Sequence, residues 1–132
     1  RDGCLCLVGS ELCIRDRAYN RPRFENLDHR EFIIRVDDET GGLAGGIYFS
    51  THGRWLEVDY LIVAEGLRRT GLGSRLLTEA EELARQRGCR MSLLSTFSFQ
   101  ARPFYEKHGY RVVYEQVGMP VTSSKSFLEK QL

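Results

Sequence analysis

The stretch Arg68-Arg69-Thr70-Gly71-Leu72-Gly73-Ser74 has the residue types to hold an anion, and it lies where an apolar, β-branched run gives way to helical spacing. Free N–H groups at a helix start, with the positive end of the helix dipole behind them, form a site for phosphate, and glycine lets the backbone approach closely. Arg68 and Arg69 add local positive charge. The helix that follows has no acid in its first turn, although the dipole favours one there; Glu79, Glu81 and Glu82 come later. Spacing separates the known phosphate loops. A Walker loop needs a lysine directly after its last glycine, and none follows Gly71 or Gly73. A dinucleotide fingerprint needs a third glycine and an acid about 20 residues on, and Leu76 and Met91 stand at those places. What remains is Arg-x-x-Gly-x-Gly at Arg68, Gly71 and Gly73, read either as a phosphate-binding loop or as a turn that only joins strand to helix.

In its full setting, LIVAEGLRRTGLGSRLL from Leu61 to Leu77, the stretch resembles in register the Val-x-x-x-x-Arg-x-x-Gly-x-Gly-x-x-Leu-Leu signature of the GCN5-related N-acetyltransferase (GNAT) superfamily. A second block, QARPFYEKHGY, resembles the superfamily's Ala-x-x-Phe/Leu-Tyr-x-x-x-Gly-Phe/Tyr pattern at Ala101, Phe104, Tyr105, Gly109 and Tyr110. The resemblance runs from Glu31 to the C-terminus, and the wording TFSFQA is similar to small bacterial members. One position departs. The asparagine often found seven residues before the tyrosine is Ser98 here, with Gln100 a candidate to replace its cofactor contact.

The resemblance implies an α/β GNAT fold, a mixed, mostly antiparallel sheet flanked by helices, with acetyl-coenzyme A as co-substrate. It implies an N-acetyltransferase that moves the acetyl group to the amine of a small-molecule acceptor, directly, in a ternary complex with no covalent enzyme intermediate. Acetylation of a protein lysine or N-terminus, or a coenzyme A-binding sensor without catalysis, are the alternatives. By the same resemblance the backbone of Leu61, Ile62 and Val63 would hold the pantetheine arm. Arg68, Arg69, Thr70, Gly71, Leu72, Gly73 and Ser74 would surround the pyrophosphate. Joining an amine to a thioester needs proton removal from the ammonium, stabilisation of an oxyanion and protonation of the leaving thiolate. Tyr105 matches the tyrosine that family members place near the coenzyme sulfur, and a phenol of pKa about 10 can donate to a thiolate. Glu57 stands eleven residues before Arg68, the offset of the catalytic glutamate in histone-acetylating members. It reads as the base or as an ordinary solvated carboxylate. Asp59 shares its strand face by two-residue alternation and reads as a second carboxylate for the base, a contact for the acceptor cation, or a partner for a backbone N–H.

These groups need elements to place them. Glu31–Val36 and Leu43–Ser50 read as a hairpin across the turn Asp37–Gly42, and His52-Gly53 turns the chain into a third strand, Trp55–Val63. From Leu72 to Arg87 the apolar positions Leu72, Leu76, Leu77, Ala80, Leu83 and Ala84 recur at helical spacing, with Gly88 placed as a C-terminal cap. Met91–Ser95 is a short strand, Gln100–His108 a short helix stopped by Gly109, Tyr110–Val117 a strand, and Ser126–Gln131 closes the sheet. Glu11–Tyr19 reads as an amphipathic helix, and residues 1–30 are otherwise unassigned. Hairpins mixed with crossover helices make an α/β layer structure with a mixed sheet. The aromatics Tyr48, Trp55, Tyr60, Phe97 and Phe99 read chiefly as core, with a cleft lining as the alternative.

At 132 residues the chain is the size of one domain, 1–132, with 42% hydrophobic and 28% charged residues, inside the globular range. Its 19 Lys and Arg against 18 Asp and Glu give a net charge of +1, so no global attraction draws it to nucleic acid or to anionic membrane. Cys4, Cys6, Cys13 and Cys89 have neither zinc spacing nor a disulfide framework, and His29, His52 and His108 share no ligand spacing, so no metal is expected. No apolar run spans a bilayer and no leader is visible, which gives a cytoplasmic expectation, with the first element uncertain because the chain opens at Arg1. Exposed C-terminal strands would suit a homodimer.

Overall fold

The strands and helices fall where the apolar periods place them. The computed structural model describes residues 28–132; the expected helix Glu11–Tyr19 lies outside them. In order come β1 (Arg30–Asp37), β2 (Leu43–His52), β3 (Trp55–Val63), a 3-10 turn (Glu65–Leu67), α1 (Leu72–Gln86), β4 (Met91–Phe97), α2 (Arg102–Lys107), β5 (Arg111–Val117) and β6 (Ser124–Gln131). The two helices are shorter than expected by one residue at one end of α1 and by three across α2. In both cases a glycine in the left-handed region, Gly88 (φ +89°) or Gly109 (φ +91°), ends the helix. Each end is a Schellman motif: Cys89 N–H donates to Ala84 O, and Tyr110 N–H donates to Tyr105 O.

The six strands form one sheet in the order β1-β2-β3-β4-β6-β5. Only β3 and β4 run parallel, joined by the crossover through α1; every other neighbouring pair is antiparallel. The mixed, mostly antiparallel sheet expected from sequence is therefore present. The last strand does not lie at the edge. β6 inserts between β4 and β5, which leaves β5 exposed along one side.

The core lies between the sheet and α1. Ile47 and Phe49 of β2, Leu56 and Val58 of β3, Leu94 of β4 and Leu128 of β6 pack with Leu76, Leu77, Ala80 and Ala84 of α1. At Gly45 a Cβ would come within 3.0 Å of Ile62 O and of a Leu72 methyl, so the missing side chain lets the start of α1 settle on β2 and β3.

Two irregularities shape the site. Pairing of β3 with β4 runs from Trp55↔Met91 to Val58↔Leu94 and stops, although both strands continue. On the other side of β3, Tyr48 pairs with Tyr60 and Phe49 with Val58, so Asp59 is the extra residue of a β-bulge. Asp59 keeps the exposed side that Glu57 takes, as two-residue alternation expects; the bulge shifts the phase after it, so Tyr60 and Ile62 are exposed while Leu61 and Val63 are half-buried.

Candidate active site

The turn before α1 gives up its backbone donors. Arg69 (φ +67°) and Gly71 (φ +87°) are left-handed, which swings the chain from β3 into the helix. Gly71 is the N-cap and has no side chain to cap the helix; the first helical bond is Arg75 N–H to Gly71 O at 3.0 Å. The amides from Arg69 to Ser74 donate to no acceptor among the described residues. No acid occupies the first turn of α1, and Arg68 and Arg69 are exposed, without an ion-pair partner among the described residues. A row of N–H groups left unpaired at a helix start, with two cations beside it, is an arrangement that suits an anion.

This turn forms one wall of a cleft of about 920 Å³. Leu61, Ile62 and Val63 supply a second wall, and their strand, having lost β4 after Val58, has one backbone edge open for an extended ligand. Arg68, Arg69, Gly71, Gly73 and Ser74 line the same cleft, as expected. Thr70 and Leu72 instead line an adjoining groove beside Asp38 and Arg75, and the Thr70 hydroxyl donates to Leu67 O, bracing the turn from behind.

The third wall is α2. Tyr105 is 9% exposed and lines the cleft, set edge-to-face against Phe104 (5.2 Å) and Tyr110 (6.0 Å). Its hydroxyl has no hydrogen-bond partner among the described residues, and burial raises its pKa, so the phenol keeps its proton. Tyr110, the other buried tyrosine of that motif, is spoken for: its hydroxyl donates to Glu81 at 2.9 Å and lies 2.7 Å from Ser92 Oγ. The free hydroxyl at Tyr105 fits a proton donor. His108 is held by its own helix, Nδ1–H donating to Phe104 O at 2.8 Å.

Where β3 and β4 part, a second cavity of about 500 Å³ opens. Asp59 and Tyr60 line it from β3, Ser95 and Thr96 from β4, and Lys125 from β6. Burial, then the charges of Glu57 and Glu31, raise the Asp59 pKa, which makes this carboxylate a stronger base than an ordinary aspartate. Glu57 pairs with Ser50 and Leu93 where the sheet is still closed, and it lines neither cavity. The three catalytic candidates are thus separated: Tyr105 in the large cleft, Asp59 in the small one, Glu57 in neither.

Gln100 lines both cavities. Its Oε1 accepts from Phe97 N–H at 3.0 Å and from Thr96 Oγ1 at 3.2 Å, which fixes the amide orientation and leaves Nε2 as its available donor. Ser98 is occupied, accepting from Ser124 N–H at 3.2 Å. Tyr48, Tyr60 and Phe97 line the small cavity and Phe99 the large one, with Tyr60 64% and Phe99 66% exposed. The expectation that they are core is overturned for these four in favour of the cleft lining, Phe99 lying in the loop after β4; Trp55, 41% exposed, is also outside the core. Lys107 and Lys125 went unread in the sequence. Lys107 shows only as a base in the last turn of α2, and Lys125 reaches the cavity through its pairing with Phe97.

Residues 9–110 match the acetyltransferase (GNAT) family. An acetyltransferase of Agrobacterium fabrum is 34% identical over 124 residues, covering 92% of this chain and 90% of that protein. The blasticidin-S acetyltransferase of Streptomyces morookaense is 42% identical over 95 residues, 71% of this chain and 70% of the relative. A crystal structure of an acetyltransferase from Bacillus cereus superposes with a TM-score of 0.82 at 36% identity, covering 92% of this chain and 89% of that one.

Proposed function

We propose that this chain, which belongs to the acetyltransferase (GNAT) family, acetylates the amine of a small-molecule acceptor by direct transfer within a ternary complex. It is an acetyl-CoA-dependent acetyltransferase, and acetyl-CoA is its co-substrate. The observation that carries the reading is the convergence in one cleft of Arg69, Gly71, Gly73 and Ser74, whose amides have no partner among the described residues, with the open edge of β3 and the phenol of Tyr105.

Bound acetyl-CoA supplies a thioester whose carbonyl carbon accepts the amine. The chain's residues do the rest. The Arg69–Ser74 amides and the Arg68 and Arg69 side chains hold the pyrophosphate, and Leu61–Val63 align the pantetheine arm by backbone hydrogen bonds. Asp59, whose pKa is raised by burial and then by the Glu57 charge, takes the proton from the acceptor ammonium, directly or through water. As the new C–N bond forms and the C–S bond breaks, the nitrogen gives up its second proton to water, and Tyr105 gives its proton to the thiolate and recovers one from solvent. Glu57 acts on the reaction only through its charge on Asp59. A small-molecule acceptor is favoured by the relative that is a blasticidin-S acetyltransferase and by the modest size of the cavity beside Asp59.

The test is calorimetric titration with acetyl-CoA, with ATP and NAD as controls, followed by thiol release with a panel of amines. Selective micromolar binding and amine-dependent thiol release are expected. Equal binding of the nucleotides would remove the cleft assignment; selective binding without thiol release from any amine would leave a sensor.

A further inference from the structure

The small cavity between β3 and β4 has opposite charges on its walls. Among its lining residues Asp59 is the one acid and Lys125 the one base. Glu57 and Glu31 add negative field at the Asp59 side. Lys125 comes from β6, paired with Phe97 on β4 and Gln116 on β5. Its ammonium lies 5.7 Å from the Phe97 ring centroid and 5.2 Å from that of Phe127, held over two aromatic faces. It makes no ion pair among the described residues, whereas Lys130 on the same strand is paired with Glu81. Glu115 on the neighbouring β5 is engaged elsewhere, accepting from Ser124 Oγ at 2.9 Å. A half-buried ammonium fixed at a cavity wall without an acid beside it stabilises an anion brought there by a ligand.

We propose that the acceptor carries a carboxylate as well as its amine, with the amine at Asp59 and the carboxylate at Lys125. The inference rests on the acetyltransferase reading and names its substrate class. A ligand with both charges is oriented by the two walls, so its amine lies on the Asp59 side, and Gln100 Nε2, at the junction of the two cavities, is a donor in its path toward the thioester. A simple diamine would place its second cation against Lys125 and is disfavoured. Lys125 is thus a specificity residue and Asp59 the shared anchor.

The test titrates the coenzyme A-saturated protein with ε-aminocaproate and with its neutral carboxamide, then repeats both on Lys125→Met and Lys125→Arg. The carboxylate should bind about tenfold more tightly than the amide, the order of one charge-assisted hydrogen bond. Lys125→Met should bring the two to parity and Lys125→Arg should restore the preference, with the unfolding midpoint as the folding control. Equal binding to the unsubstituted protein, or a preference that survives Lys125→Met, overturns the assignment. Thiol release is read in parallel. Turnover of carboxylate-free amines at equal efficiency keeps the acetyltransferase reading and overturns this one; a carboxylate preference in binding with no thiol release from any amine supports the pocket and overturns the small-molecule transfer reading.

Discussion

Lys130 Nζ lies 2.9 Å and 3.1 Å from the two carboxylate oxygens of Glu81, closing a part-buried ion pair between α1 and β6. Glu81 is 4% exposed and also accepts from the Tyr110 hydroxyl, which burial pushes far above the ordinary phenol range. Because Glu81 falls on the same helical stripe as Leu77 and Ala84, the acid is part of the buried face and anchors the inserted strand to the helix.

Removing the acid leaves the Lys130 ammonium mostly sheltered and without its partner. Glu81→Ala should lower the free energy of unfolding by about 3 kcal/mol, while Glu81→Met combined with Lys130→Met should recover most of that loss. Urea unfolding of the three proteins measures both. A Glu81→Ala protein as stable as the parent would mean that the pair is not formed in solution.

Tyr105→Phe keeps the edge-to-face packing against Phe104 and Tyr110 and removes only the hydroxyl. We expect kcat to fall by about 10²-fold with acetyl-CoA affinity nearly unchanged, the pattern of a group used only as the thiolate departs. Stopped-flow thiol detection and calorimetry separate the two quantities. An unchanged kcat would strip Tyr105 of its acid role.

How much of this was legible beforehand depended on whether the signal was local. The Leu72–Ala84 stripe, the β3 run and the Arg68–Ser74 turn carry their meaning within one element, and they stand where periodicity and glycine placement put them. The bulge at Asp59 is a property of how β3 registers on β2, so alternation within β3 alone gives the wrong phase from Tyr60 onward. The cavity depends on β3 and β4 ceasing to pair, and Lys125 enters it only because β6 inserts beside β4. Tyr60 looks like core by simple alternation and proves exposed because the bulge turns it outward, and Phe99 is exposed in the loop after β4.

Asp59 joins activity to stability with opposite signs. Its pKa is raised in the folded chain, so folding penalises the charged form, and between the unfolded and folded pKa values stability falls as pH rises. Asp59→Asn removes that penalty and should raise the unfolding midpoint at neutral pH. The same substitution should lower kcat/KM by about 10²-fold and abolish the acidic limb of the pH–rate profile. A retained limb would transfer the base role to another group.

Glu57 should then behave as a tuner. Glu57→Gln removes a negative charge that raises the Asp59 pKa, so the acidic limb should move to lower pH while turnover near neutrality persists. The pH dependence of kcat/KM reads this directly. Loss of activity at every pH would instead make Glu57 the base, against its position outside both cavities.

The phosphate turn is tested by filling it. A Cβ at Gly73 would only touch Phe104 and Val63 at 3.5 Å, so a small residue fits there, and at Gly71 the space is open although its φ of +87° disfavours any side chain. Glutamate at both positions adds two negative charges beside the Arg69–Ser74 amides and sets them against the pyrophosphate. Gly71→Glu with Gly73→Glu should reduce acetyl-CoA affinity by at least about 10²-fold, as expected for like charges juxtaposed at a binding surface. Gly73→Ala serves as the control for backbone effects and should retain most of the binding. Coenzyme binding that survives the double substitution, measured by calorimetry on protein shown to be folded, would mean that the anion sits elsewhere and that the free amides of the turn are not its cradle.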